Sequence, residues 1–269
     1  MKKPFTAAVE KGKVLLGVVH LKPLPGSPRH CGETLDTIVA AARSDAEHIL
    51  QAGFDGYFVE NFGDMPFFPA QVPPHVLTIL TRIALELPRD GALVGVNVLR
   101  NDSSGALAVA VACGLQMLRV NVHMGARVTD QGILEGRAAA TTRERALLAP
   151  DVAILADVKV KHASPLGSEF DLKVVASDLS TRGQADGLIV TGKATGSPVS
   201  LDDLKVVREA VPDCPLLAGS GVTRETAKEI LRLADGIIVG TAIKSAGRVE
   251  EPVDPVRARE FVREARKAT

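Results

Sequence analysis

The chain has 269 residues, 46% of them hydrophobic, and its 32 basic residues are balanced by 32 acidic ones. A length near 250 residues suits one α/β barrel, and the even charge leaves no global field to draw in nucleic acid or an anionic membrane. Three scattered cysteines, Cys31, Cys113 and Cys214, form no C-x-x-C pair; this argues against a disulfide framework or a cysteine zinc site and for a reducing compartment.

From the N-terminus, the apolar run 14–19 is too short for a signal sequence core, and no run approaches the ~20 apolar residues of a membrane span. The expectation is a soluble, cytoplasmic chain with no integral membrane association. Short β-branched runs then alternate with longer amphipathic stretches. Strands are predicted at 14–19, 55–59, 93–99, 117–122, 152–158, 187–190, 215–218 and 236–239. Several are apolar nearly throughout, as strands of a helix-covered parallel sheet must be. Helical patterns fall at 35–51, 76–87, 107–112, 201–210, 223–233 and 256–267. The junctions echo one another: QAGFDGYFVEN, ACGLQMLRVNV, QADGLIVTG and LADGIIVGTA each end a helix at or near a glycine and enter a strand. The alternation predicts one domain, residues 1–269, folded as a (β/α)8 TIM barrel of the phosphate-binding type. An open doubly wound sheet is the alternative, but the first turn, HLKPLPGSPRH, is no dinucleotide cradle.

Small residues follow the last two strands: Gly219, Ser220 and Gly221 in one turn, Gly240, Thr241 and Ala242 in the other. Strands seven and eight are neighbours in a barrel, so these loops converge where a phosphate can meet several backbone N–H groups. The plainer alternative is that the glycines only make tight turns. Polar residues stand where the apolar strands stop: His20, Glu60, Asn61, Asn97, Asn121, His123, Asp157, Lys159, Lys161, Thr191 and Lys193. A barrel gathers such ends at one mouth, although any one His or Asn there could merely satisfy a loop carbonyl. In Asp157-Val-Lys-Val-Lys161, strand alternation puts residues 157, 159 and 161 on one face. Neighbouring cations and burial would lower a lysine pKa and prepare a base or Schiff-base nucleophile, with Glu60 and His123 sharing proton transfer. The competing reading is an Asp157–Lys159 ion pair that fills the barrel top. Glu60, His123 and Asp157 also compose a divalent-metal alternative, but no H-E-x-x-H or similar motif supports it, so no cofactor is assigned. Three long connections, 21–33, 61–75 and 124–134, have the length of lids. Five of the eight phenylalanines fall between residues 54 and 68, as cover for a ligand or as a contact in a homo-oligomer.

The segments LLGVVHLKPLPGSP, FVENFGDMPF, LRVNVHMGARVTDQGILEGRA, ADVKVKHASPL, DGLIVTGKATG and AGSGVT…DGIIVGTAIK resemble the BtpA family, which includes SgcQ-type proteins. The resemblance runs from about residue 15 to residue 244. It implies a barrel related to the phosphate-binding barrel enzymes and carries no established catalytic residues. Its functional implications divide: some members are associated with photosystem I biogenesis, while SgcQ-type members resemble components of sugar-utilisation gene sets. Three expectations follow. One is an enzyme acting on a phosphorylated sugar, nucleoside or related metabolite by lyase, isomerase or glycosyl-bond chemistry. The others are a non-enzymatic photosystem I factor and a phosphometabolite sensor.

Overall fold

The computed structural model describes residues 2–167, 171–192 and 198–268. Eight parallel strands close into a barrel: β1 (Val14–His20), β2 (Gly56–Glu60), β3 (Leu93–Asn97), β4 (Met117–Val120), β7 (Ala153–Asp157), β9 (Gly187–Val190), β10 (Leu216–Ala218) and β11 (Gly236–Val239). The last strand pairs with the first, Val14 opposite Gly236 and Gly17 opposite Val239. The connections carry α2 (Leu35–Gln51), α3 (Pro74–Glu86), α4 (Ser103–Cys113), α5 (Ala138–Leu148), α6 (Leu172–Thr181), α7 (Leu201–Ala210), α8 (Arg224–Ile230) and α9 (Pro255–Ala265). This is the TIM-barrel architecture. The observed strands stop one or two residues short of some predicted ends, at Asn97, Val120 and Asp157; beyond the first two, the Leu99 and Val122 N–H groups donate to the side-chain amides of Asn61 and Asn101 instead of a neighbouring strand.

Helix starts follow local chemistry. Thr34, Asp102, Asp171, Ser200 and Asp254 each accept a hydrogen bond from a first-turn N–H of α2, α4, α6, α7 and α9, which satisfies donors that have no partner within the helix. Helix α5 shows little apolar periodicity because its buried residues are Thr141 and Arg145. The segment 124–134, expected as a lid loop, is a β-hairpin. Its strands β5 (Ala126–Thr129) and β6 (Gly132–Glu135) join β8 (Ala163–Pro165) in a small antiparallel sheet. Leu134 packs that sheet against Val122 and Val160.

Side chains alternate about the barrel wall and form two cores. One set faces the helices. The other fills the interior with Leu16, Phe58, Met117, Leu155, Ile189, Leu217 and Ile238. Gly95 belongs to the inner layer, and a Cβ there would collide with the Phe58 ring; the missing side chain is the space that Phe58 fills. The bottom of the barrel is closed by α1 (Pro4–Lys11), which inserts fully buried Phe5 among the inner residues.

Phe5→Ala should open a cavity under the barrel that rigid strands cannot collapse into. The expected loss is about 3–5 kcal/mol of unfolding free energy, read from urea denaturation.

Candidate active site

The inward register that fills the interior continues upward into polar residues. Above Val18 comes His20, above Phe58 Glu60, above Met117 Arg119 and then Asn121, and above Leu155 Asp157. Asn97 ends β3 in register with Glu60. Together with Lys161 these side chains line a chamber of about 240 Å³ at the C-terminal end of the barrel.

Arg119 organises the chamber floor. Its Nε and Nη2 donate to the two oxygens of Asp157 at 3.0 and 3.1 Å, and its Nη1 donates to Glu60 Oε1 at 3.4 Å. Burial opposes its charge, but the carboxylates of Asp157 and Glu60 more than offset that, so its pKa lies above the usual arginine value. Asn121 Nδ2 donates to Asp157 Oδ2 at 2.7 Å and Asn97 Nδ2 to Glu60 Oε1 at 3.0 Å. Arg100 reaches Asn121 Oδ1 at 3.4 Å and holds the Lys161 carbonyl at 2.5 Å. Burial lowers its pKa. The Lys161 ammonium points into the chamber and donates to Ser220 Oγ. Burial, with the nearby Arg119 charge adding to it, lowers its pKa from 10.5 to about 8. His20 lies 3.9 Å from Glu60, too far for a hydrogen bond. Burial, then the charges of Lys244, Lys161 and Arg119, push its pKa well below 6.5, so the ring is neutral and makes no ion pair.

Several expected residues stand elsewhere. Lys159 is not inward-facing: the strand ends at Asp157, alternation lapses, and Lys159 turns out to Asp203 on α7 at 2.5 Å. The partner of Asp157 is therefore Arg119, not Lys159. Thr191 donates to the Lys159 carbonyl at 2.8 Å. His123 Nε2 faces the Gly183 carbonyl at 2.8 Å, away from the chamber, and burial lowers its pKa. Asn61 accepts from Leu99 N–H at 2.7 Å, the loop-satisfying role. Lys193 lies outside the described residues. The metal alternative does not fit these residues. His123 is remote, Arg119 occupies the space between Glu60 and Asp157, and no cluster of three His, Cys, Asp or Glu suited to a metal occurs among the described residues.

The two small-residue loops do converge. A cavity of about 390 Å³ is lined by Gly221 and Thr223 from one and by Gly240, Thr241 and Ala242 from the other, with Arg224 and Arg257 at its rim. Gly240 and Thr241 also line the chamber. Gly240 is required there, because a Cβ would collide with the His20 imidazole. Gly219 lines neither cavity; it packs under the Ile238 carbonyl. The loop after β11 is fastened from below by fully buried Lys244, whose Nζ meets Asp45 of α2 at 2.5 Å.

Two motifs now have physical content. In ENFGD, Glu60 enters the chamber, Asn61 holds the Leu99 backbone, and Phe62 lines the mouth. Gly63 hydrogen-bonds to the Leu21 carbonyl at 3.0 Å, and Asp64 accepts from Leu24 N–H at 2.8 Å. Burial raises the Asp64 pKa. In TDQG, Thr129 and Gly132 shape the hairpin turn that brings Asp130 to the chamber rim. Sequence reading missed Arg119, Arg100 and Asp130. The signal for Arg119 was its parity with Asn121, an arginine at an inward position of an apolar strand.

Fold and site together define a TIM barrel with a charged mouth. The chain belongs to the BtpA family, whose sequence profile matches residues 11–267. It is 43% identical to the photosystem I biogenesis protein BtpA of Synechocystis sp., over 92% of this chain and 86% of that one. It is 44% identical to an uncharacterized protein of Pyrococcus furiosus, over 93% and 94%. Among solved structures it resembles Mycobacterium tuberculosis tryptophan synthase, with a TM-score of 0.59, 15% identity, and 98% and 95% of the chains covered. It also resembles a thiamine phosphate pyrophosphorylase from Pyrococcus furiosus, with a TM-score of 0.57, 16% identity, and 97% and 98% covered. A phosphoribosyl anthranilate isomerase from Thermus thermophilus gives a TM-score of 0.56, 12% identity, and 95% and 100% covered. At these identities the structural likeness establishes the fold.

Arg119→Met should leave two buried carboxylates without their cation and cost about 3–5 kcal/mol at pH 7. Both carboxylates would then carry folded pKa values above their unfolded ones. The deficit should therefore shrink as pH falls through those raised values toward about 4, measured by denaturation across pH. Lys161 has the opposite signature. Its folded pKa of about 8 lies below the ordinary 10.5, so the unfolded chain binds more protons between those values and this group adds stability as pH rises from 8 to 10.5. Lys161→Met should flatten that rise.

Proposed function

We propose that this protein is an enzyme acting on a phosphorylated sugar, nucleoside or related small metabolite. The observation that carries the reading is the adjacency of two cavities: a chamber holding Lys161, Glu60 and Asp157, and a small-residue cavity that shares Gly240 and Thr241 with it. The phosphate would sit against the backbone of the loops of Ser220–Gly221 and Gly240–Ala242, with Arg257 on the cavity wall; Arg224 is already paired with Glu225 and Glu260 there. Gly219 would support that loop from beneath.

The reacting end of the substrate would lie over Arg119. Roughly one-tenth of a lysine with a pKa near 8 is neutral at pH 7, enough to serve as a proton acceptor or an attacking amine. The Ser220 hydroxyl and the Arg100-held carbonyl fix the position of Lys161. Glu60 faces the same space from the opposite wall and would exchange the second proton. Asp157, held by Arg119 and Asn121, would orient a substrate hydroxyl, as would Asn97. Aldol cleavage, isomerisation and glycosyl-bond chemistry all use such a pair. Arg119, Asp157 and Glu60 pair with one another, but the Lys161 amine meets a hydroxyl and not a carboxylate; burying such a charge is costly unless it is used, which favours an active mouth over a scaffold role. The name of the Synechocystis relative supports a second reading, an assembly factor for photosystem I. Under it, the chamber would bind a metabolite without converting it.

Thermal-shift screening of phosphorylated sugars and nucleosides, with product analysis by mass spectrometry, tests both readings. A phosphorylated ligand should stabilise the protein, and Thr241→Glu should abolish the effect by like-charge repulsion. Turnover should fall at least a thousandfold in Lys161→Ala and should rise with pH toward about 8 in the native protein. Binding without product from any ligand favours the second reading. No stabilisation by any phosphorylated compound or by inorganic phosphate refutes the phosphate assignment.

A further inference from the structure

The mouth holds a third cavity, of about 340 Å³, between the two loops that the ENFGD motif zips together. It shares Phe67 and Leu99 with the charged chamber, as the chamber shares Gly240 and Thr241 with the small-residue cavity. The three spaces therefore adjoin one another across shared residues, with the small-residue cavity on one side of the reacting groups and this cavity on another. Its character is apolar. Leu24, Pro25, Phe68, Val72 and Val76 line it. Of its polar side chains, Asn61 and Asp64 are already engaged with the Leu99 and Leu24 backbone and with each other, which leaves Ser27 and His75 among mainly apolar walls. A row of rings leads into it from the chamber. Phe62 stands edge-on to His20, with centroids 4.9 Å apart, and edge-on to Phe67 at 6.5 Å. A volume in this range with apolar walls suits an organic ring rather than a solvated group, and edge-on aromatic side chains favour a planar one.

We propose that the substrate carries an aromatic ring at the end of its sugar remote from the phosphate, and that the third cavity seats this ring. The class is a 5′-phosphorylated ribosyl compound with a one- or two-ring aromatic group on C1′. The assignment rests on the phosphometabolite reading above and narrows it. In this arrangement the bond between ring and sugar lies in the charged chamber, within the reach of Lys161 and Glu60.

The chain contains no tryptophan and one tyrosine, so a fluorescent ring can be followed with little background. Ethenoadenosine 5′-monophosphate is the probe, with ribose 5-phosphate, adenosine and inorganic phosphate as competitors. The probe should bind roughly ten- to a hundredfold more tightly than ribose 5-phosphate, the gain available from burying one ring. Ser27→Phe, which fills the cavity from a loop position, should remove that advantage and leave ribose 5-phosphate affinity unchanged. Phe68→Ala, at a side chain 53% exposed, should weaken the probe alone and serves as a second variant that leaves the core untouched. Equal affinity for probe and ribose 5-phosphate, or a probe advantage that survives both variants, overturns the ring assignment and leaves the phosphometabolite reading standing. Failure of probe, ribose 5-phosphate and inorganic phosphate alike overturns both.

Discussion

Arg119 places a guanidinium inside the barrel, one inward position above Met117, where no solvent screens it. Such a charge is tolerated only when carboxylates surround it, and Asp157 and Glu60 come from two other strands to do so. The rest of the mouth depends on that pairing. With Asp157 held on Arg119, Asn121 is oriented by its bond to Oδ2, which it shares with the guanidinium, and Arg100 is drawn to Asn121. Arg100 in turn grips the Lys161 carbonyl and turns the lysine inward. With Glu60 held, Asn97 is fixed and His20 is left neutral beside it. The chamber is thus one electrostatic unit, distributed over strands that are far apart in the chain.

Its upper walls are built differently. The loops above β1 and β2 are bound to each other by backbone and carboxylate hydrogen bonds centred on Asn61, Gly63 and Asp64. That makes them a preformed rim with apolar interior walls. Next to them around the barrel, the loops after β10 and β11 present small residues, and the second of them is locked by the buried Lys244–Asp45 pair. Under the proposed reading, a polar middle between small-residue and apolar flanks would grip an amphipathic molecule on both sides. Binding energy from the ends can then align the centre with the reacting groups.

The archaeal and cyanobacterial relatives share this chain's length and family, while the solved barrels at 12–16% identity share only its fold. Fold alone does not settle chemistry. The weight therefore falls on the arrangement of Lys161, Glu60 and Asp157, which brings a buried amine and two carboxylates together in a partly enclosed space.

The alternation of β-branched runs and amphipathic helices determined the barrel, because burial on both faces of a parallel sheet and on one face of a helix leaves a periodicity that local sequence carries. It also determined that Glu60, Asn97, Asn121, Asp157 and Lys161 would gather, since strand ends converge wherever a barrel closes. Tertiary structure alone decided which polar ends meet. Lys159 and Lys161 are identical in type and near neighbours, yet one turns to Asp203 and the other to Ser220, because β7 ends at Asp157 and alternation cannot be extended through a bend. His123 turns outward for the same reason, since β4 has already ended at Val120. Arg119 was visible only as a residue out of place in an apolar strand. Its meaning depends on carboxylates 59 and 38 residues away, and a charge pairing across that separation is fixed by the closure of the sheet, not by any local pattern.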